Sequence, residues 1–250
     1  MLYRFALLWF VVAASGCSTR SAVCEPAPLS GRWVSHRADN GTMWSIRATD
    51  DLEGAGPNRW HREAVTIDKH GLRIDLTPIG SNWYAGEAAL VLPPGYLDAS
   101  WRVIGPVGQL DPNVIVGVFV YRDDRSELDF ELGRWGDVEA ANAQFVVAPA
   151  SSPSRLHRFR LPSDTERLDV QLRWRRDVVS FAASSENGAA AAWEYRGPQR
   201  PTPCGHRVHF NVWLFQGRRP TSPEPISIRF TEFFLVTENN ALLDPEVDSL

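Results

Sequence analysis

Thirteen short strand candidates, divided by Gly, Pro, Asn and Asp turns, run along this 250-residue chain and leave almost no helical periodicity. The runs cover 42–47, 64–68, 72–77, 83–92, 96–104, 114–121, 126–132, 143–148, 155–161, 167–174, 178–183, 207–215 and 226–236. So many strands do not fit one flat sheet, because twist accumulates until an open sheet curls or splits. The economical arrangement is an all-β, two-sheet antiparallel sandwich of the jelly-roll kind, each strand sending alternate side chains into a shared core. Asp68, Lys69, His70 and Gly71 lie between two alternating runs and predict a hairpin turn. With 44% hydrophobic and 22% charged residues, the chain can build one large core. No repeat or linker divides it, so one domain is expected over residues 31–237, followed by a loosely held acidic tail at 238–250.

The N-terminus has the layout of a targeting segment. Arg4 gives a positive start, Phe5 to Ala14 an apolar stretch of ten, and Ala14, Ser15, Gly16 and Cys17 a small-residue processing site. Ten apolar residues fall short of the roughly 20 that a membrane-spanning helix needs. The tetrapeptide resembles the bacterial lipoprotein box, with Ala14 where leucine is usual. That resemblance implies a signal peptide over 1–16, lipidation of Cys17, a linker over 17–30, and a lipid-anchored place in the bacterial cell envelope. Ser18 after the cysteine favours the outer membrane, facing the periplasm or the surface, and an ordinary secretory signal with an incidental cysteine is the alternative. Cys24 and Cys204 remain as an even pair in an oxidising compartment, which allows one disulfide or two free thiols. No spacing of Cys and His suits a metal. A formal net charge of −4 argues against a nucleic-acid partner, and the arginines frequent between 153 and 176 read as strand-surface charges.

Glu127, Leu128, Asp129, Phe130 and Glu131 place three carboxylates on one face of a strand and two apolar side chains on the other. Alternating acidic and apolar residues also serve solubility at sheet edges. Here, however, the pentad follows the strongly apolar run Val114 to Tyr121 and precedes an aromatic turn, Gly133, Arg134, Trp135 and Gly136. Like charges at i and i+2 raise each other's proton affinity, so one carboxyl can keep its proton while another is ionised. An acid beside a base is what cleavage of a glycosidic bond requires.

Along Arg207 to Phe215, parity sends Val208, Phe210, Val212 and Leu214 to the core and His209, Asn211 and Trp213 to an open outer face. Tryptophan beside an amide suits a sugar ring, which offers apolar C–H faces to an indole and hydroxyls to an amide. Trp83, Trp101 and Trp135 are also expected near a cleft, whereas Trp33, Trp44, Trp60, Trp174 and Trp193 are assigned to the core or its rim.

These residues resemble the signature of glycoside hydrolase family 16: Glu, aliphatic, Asp, aliphatic or aromatic, Glu on one strand. Glu127-Leu128-Asp129-Phe130-Glu131 matches it in full. Gly71-Leu72-Arg73-Ile74, Gly95-Tyr96-Leu97-Asp98-Ala99-Ser100-Trp101, Asn142-Ala143-Gln144-Phe145-Val146, Trp174-Arg175-Arg176-Asp177-Val178-Val179-Ser180-Phe181 and Asn211-Val212-Trp213 resemble further family segments in the same order. The likeness spans roughly residues 40 to 236 and departs at Arg122-Asp123-Asp124-Arg125-Ser126, the approach to the signature, and at Arg134-Trp135. It implies a concanavalin A-like sandwich with the triad strand on its concave sheet. It further implies Glu127 as nucleophile, Glu131 as acid and base, Asp129 as the residue that orients Glu127, and Gln144, Asn211 and Trp213 beside the substrate. The expected activity is retaining hydrolysis or transglycosylation of a β-linked polysaccharide or oligosaccharide, by a monomer without a cofactor. A non-catalytic carbohydrate-binding envelope lipoprotein of the same fold is the alternative. Relatives imply a calcium ion as an option, but no loop has the spacing of oxygen ligands for it. The triad strand lacks an extra residue between Asp129 and Glu131, and this resembles the lichenase and xyloglucan-modifying branch more than the laminarinase and agarase branch, whose strand bulges.

Overall fold

The computed structural model describes residues 24–238. Cys17, the signal segment 1–16, the first part of the linker and the tail from 239 onward lie outside the described residues. Seventeen strands are present among the described residues: β1 Trp33–Arg37, β2 Met43–Arg47, β3 Thr49–Glu53, β4 Asn58–Trp60, β5 Val65–Asp68, β6 Gly71–Ile79, β7 Asn82–Val91, β8 Leu97–Ile104, β9 Val114–Asp123, β10 Ser126–Leu132, β11 Ala143–Val147, β12 Leu156–Phe159, β13 Arg167–Trp174, β14 Val179–Ser185, β15 Gly188–Tyr195, β16 Arg207–Leu214 and β17 Ile226–Thr237.

One sheet has the order β1-β2-β7-β16-β9-β10-β11-β12, antiparallel throughout. The second has the order β5-β6-β17-β8-β13-β14-β15, also antiparallel. The β6–β7 hairpin carries the chain from one sheet to the other, and β4 runs parallel to the start of β7. Aromatic contacts between the layers show where the core lies. Phe130 meets Trp101 at 6.2 Å, Phe145 stacks on Phe181 at 4.9 Å, and Phe210 meets Phe230 at 5.2 Å between ring centroids. Each such aromatic buries a large apolar area, and the pairs fix how the sheets sit on each other.

The placement of Trp101 corrects the expectation that it borders a cleft. It alternates with Leu97, Ala99 and Val103 on the inner face of β8 and is only 4% exposed. Arg155 corrects another expectation, since it is not a surface charge: its side chain is buried and its guanidinium donates to Val147 O at 2.9 Å, to Pro198 O at 2.8 Å and to Gln199 O at 3.1 Å. Ala148 O and the Tyr195 hydroxyl are also partners.

Cys24 and Cys204 form a disulfide across 180 residues of sequence. The Cys204 N–H donates to His206 Nδ1 at 3.2 Å, which leaves Nε2–H to face Ser126 Oγ at 2.9 Å, next to Glu127. Burial and the nearby Arg122 charge push His206 down to about 4, so the ring is neutral at pH 7 and serves as a fixed strut behind β10.

Candidate active site

Cross-strand register assembles the site. On β10, Leu128 and Phe130 enter the core, so Glu127, Asp129 and Glu131 occupy the other face. Glu131 is opposite Gln144 on β11 and Gly117 on β9; Gln144 is opposite Arg158 on β12, Gly117 opposite Asn211 on β16, and Asn211 opposite Glu87 on β7. A second row carries Val146, Asp129, Phe119 and His209. A third pairs Glu127 with Tyr121 and Tyr121 with Arg207. Between Ser126 and Glu127 the pairing with β9 shifts register, and from Glu127 to Leu132 it is regular.

Side chains on this outer face are not open, contrary to the sequence expectation for the strand 207–215. Asp129 is 9% exposed, Asn211 3%, His209 4% and Trp213 9%. Neighbouring side chains cover much of this face, the rings of Trp33 and Phe119 lying 5.8 and 4.8 Å from the centre of the His209 ring. Gly117 gives the row its depth: a Cβ there would come within 2.6 Å of Asn211 Oδ1. Asp129 Oδ1, Asn211 Oδ1 and His209 Nε2 are buried without a protein partner. Each such group costs about 1–3 kcal/mol unless water or a ligand pairs it.

The three carboxyls have separate environments. Glu127 is pushed up to about 7 by burial and by the charges of Glu131, Asp124 and Asp123, against a lowering hydrogen bond with Asp129. Asp129 is held well above the usual carboxylate range by burial and by both neighbouring glutamates. Glu131 is raised by burial, offset in part by a hydrogen bond from Gln144 and by the Arg158 charge. Burial and the neighbouring charges therefore favour the protonated form of Asp129, while Glu127, at about 7, is near the midpoint of its ionisation at neutral pH. Gln144 Nε2 donates to Glu131 Oε2, and Arg158 Nε donates to Gln144 Oε1 at 2.9 Å.

This proton inventory affects stability. In the unfolded chain Glu127 ionises near its ordinary 4.5, and in the folded chain near 7. The neutral form is favoured by folding, so its contribution is full below about 4.5 and is lost as pH rises through about 7. Across that window the Tm of the wild type is expected to fall relative to Glu127→Gln, ending on the order of 1–3 kcal/mol, or a few degrees, below it. Thermal scans of both proteins in matched buffers provide the comparison, and parallel pH profiles would contradict the burial of Glu127.

Of the remaining sequence candidates, Trp213 belongs to the buried cluster and Trp83 and Trp135 pack against it. Trp213 shares the outer face of β16 with Asn211, opposite Ile115. Trp83 lies beyond the part of β7 that pairs with β16, opposite Pro78 in the β6–β7 hairpin. Trp135 follows β10 in a turn with φ 49°, and the Arg158 guanidinium lies 4.3 Å from the centre of its ring. Trp101 is not part of the site. Sequence reasoning missed Arg158, and it missed the buried group in which Glu87 accepts from Arg47 Nη1 at 2.9 Å and pairs with His209 Nδ1 at 2.8 Å. A lone glutamate inside the apolar run 83–92 was the visible signal for Glu87, whereas nothing local marked Arg158. Among the described residues no three His, Cys, Asp or Glu side chains gather as metal ligands would.

No protein-family model and no curated protein sequence matches the chain. Solved structures do match in fold. A Bacillus licheniformis beta-glucanase is 14% identical with a TM-score of 0.57, over 81% of this chain and 96% of that one. A Mycobacterium tuberculosis protein described as an immunostimulatory antigen and pseudo beta-1,3-glucanase is 15% identical with a TM-score of 0.54, over 75% and 90%. A Bacteroides ovatus mixed linkage glucan protein of glycoside hydrolase family 16, in complex with product, is 14% identical with a TM-score of 0.53, over 75% and 92%. The chain thus has the jelly-roll sandwich of the beta-glucanases.

Proposed function

We propose that this chain is a retaining glycosidase of the family 16 type, acting within a β-glucan chain at the outer face of the first sheet. The observation that carries the reading is the column Glu127, Asp129 and Glu131, with Asp129 buried and the two glutamates half-buried on the outer face, each given a different proton affinity by different partners. In the first step the ionised Glu127 attacks the anomeric carbon. Glu131 gives its proton to the departing oxygen as the glycosidic bond breaks, leaving a glycosyl ester on Glu127. In the second step Glu131, now a carboxylate, takes a proton from water or from a sugar hydroxyl. The oxygen of that acceptor attacks the same carbon and frees Glu127. Asp129 holds Glu127 by a hydrogen bond throughout and limits the charge in the column. The Asn211 amide and the Trp213 indole border the subsite beside the reacting sugar. A lipid on Cys17 would hold the domain at the bacterial envelope, where external polysaccharide arrives.

The test is incubation of the protein with mixed-linkage and β-1,3-glucans, with the anomeric protons of the first products read by NMR before mutarotation. New reducing ends should appear first as the β-anomer, because two inversions restore the configuration. First appearance of the α-anomer would refute the double displacement. Binding of the oligosaccharide with no new ends would leave the non-catalytic reading.

A further inference from the structure

The acid–base residue of the proposed reaction has a support that the reaction scheme does not use. Glu131, Gln144 and Arg158 are successive members of one cross-strand row on β10, β11 and β12. The Gln144 amide is used at both ends: its NH2 donates to Glu131 Oε2 and its oxygen accepts from Arg158 Nε at 2.9 Å. A flipped amide would set its oxygen against the carboxylate and its NH2 against the guanidinium, so Arg158 fixes the amide in the orientation that serves Glu131. Arg158 is itself braced, with its guanidinium 4.3 Å from the centre of the Trp135 ring. Trp135 is held in a left-handed turn conformation; Asp137 N–H donates to Arg134 O at 2.9 Å to close that turn, and Gly136 N–H donates to Pro112 O at 2.8 Å to tie it to the loop before β9. Among the described residues the partners of Arg158 are an amide and a ring, and no carboxylate neutralises it.

We propose that Trp135, Arg158 and Gln144 form a positioning relay in which the Arg158 charge, transmitted through a fixed amide, makes Glu131 able to release its proton between the two steps. The inference rests on the glycosidase reading for its purpose and on the geometry alone for its existence. Glu131 must be protonated when the leaving group departs and ionised when the acceptor arrives. The groups that face it are Asp129 and Glu127 on its own strand, Gln144 on β11, Arg158 on β12 and the bare Gly117 on β9. Burial resists ionisation of Glu131, and among these groups the one positive charge belongs to Arg158. The relay also gives Trp135 a second role beside any sugar contact, since one face of its indole is taken by the guanidinium.

The experiment is a 13C NMR titration of the Glu131 side-chain carboxyl, assigned by its loss in Glu131→Gln, in a Glu127→Gln background that removes one coupled titration. It needs no turnover. Arg158→Met should move the Glu131 midpoint up by at least about half a pH unit, and Arg158→Lys, which keeps the charge, by clearly less. Trp135→Leu, which removes the brace and leaves the strands untouched, should give a smaller upward shift and stands in if Arg158→Met does not fold. An unmoved midpoint in Arg158→Met, or an equal shift in the methionine and lysine variants, would overturn the relay. In proteins with Glu127 intact, the alkaline limb of kcat/KM should follow the same displacement. A displaced midpoint in a chain that never releases product would keep the relay and refute the glycosidase.

Discussion

Glu127→Ala and Glu131→Ala should each lower glucan turnover by at least about 10³-fold, and azide should restore part of the loss with opposite stereochemistry in the two variants. The reason lies in which face of the sugar each side chain occupies. Without the Glu127 carboxylate, a small anion can enter the vacated space and attack the anomeric carbon directly while Glu131 still protonates the leaving oxygen. One inversion then gives an α-glycosyl azide. Without Glu131 the ester on Glu127 still forms from an aryl glycoside whose leaving group needs no proton. Azide, which needs no base, then opens that ester from the other face and gives a β-glycosyl azide. Product configuration by NMR therefore assigns the two roles separately. Exchanged configurations would exchange the roles of Glu127 and Glu131, and full activity in both alanine variants would remove the enzyme reading. Circular dichroism and Tm serve as controls, because removing a buried carboxyl with raised proton affinity should not weaken the fold.

How much of this could be read in advance depends on where the information is held. Each of the thirteen runs corresponds to a strand, because a short alternating or apolar stretch bounded by turn residues marks a strand directly in the chain. The strands missed were β1, β3, β4 and β15. β3 reads Thr-Asp-Asp-Leu-Glu, β4 has three residues, and β15 opens with four alanines among its first five residues. They pair beside stronger strands, and their own pattern does not announce them. Trp101 could have been placed correctly, since it shares the parity of Leu97, Ala99 and Val103. The carboxylate column was legible because its three members lie at i, i+2 and i+4 on one strand. Arg158 and Glu87 were not, because their partners come through cross-strand register: Arg158 is 14 residues from Gln144, and Glu87 is 122 from His209. The covering of this face was hidden for a related reason. Outward parity says which way Asn211 points, but only the assembled sheet determines that it is 3% exposed.

Arg155→Met should produce the largest loss of stability, because this guanidinium fastens two loops that belong to different sheets. Val147 ends β11 in the first sheet and Ala148 follows it, while Tyr195 ends β15 in the second and Pro198 and Gln199 follow it. All three guanidinium nitrogens take part, and the group also lies 4.8 Å from the centre of the Tyr195 ring. Its fork suits several carbonyls at once, as an ammonium does not. Methionine fills comparable volume and leaves buried carbonyls unpaired at about 1–3 kcal/mol each, of which relaxation and entering water recover a part, for a net loss of about 3–5 kcal/mol. Against the 5–15 kcal/mol that usually separates folded from unfolded states, such a loss makes the domain marginal. It corresponds to a fall of roughly 10 °C in Tm for a protein of this size. Arg155→Lys should lie between the two, since it keeps the charge but cannot span both loops. Urea unfolding should show a lower midpoint with an unchanged slope, the sign of lost stability rather than a changed unfolded state. A Tm within about 2 °C of wild type for the methionine variant would mean that water replaces the guanidinium without loss and that the two sheets do not depend on it at this end.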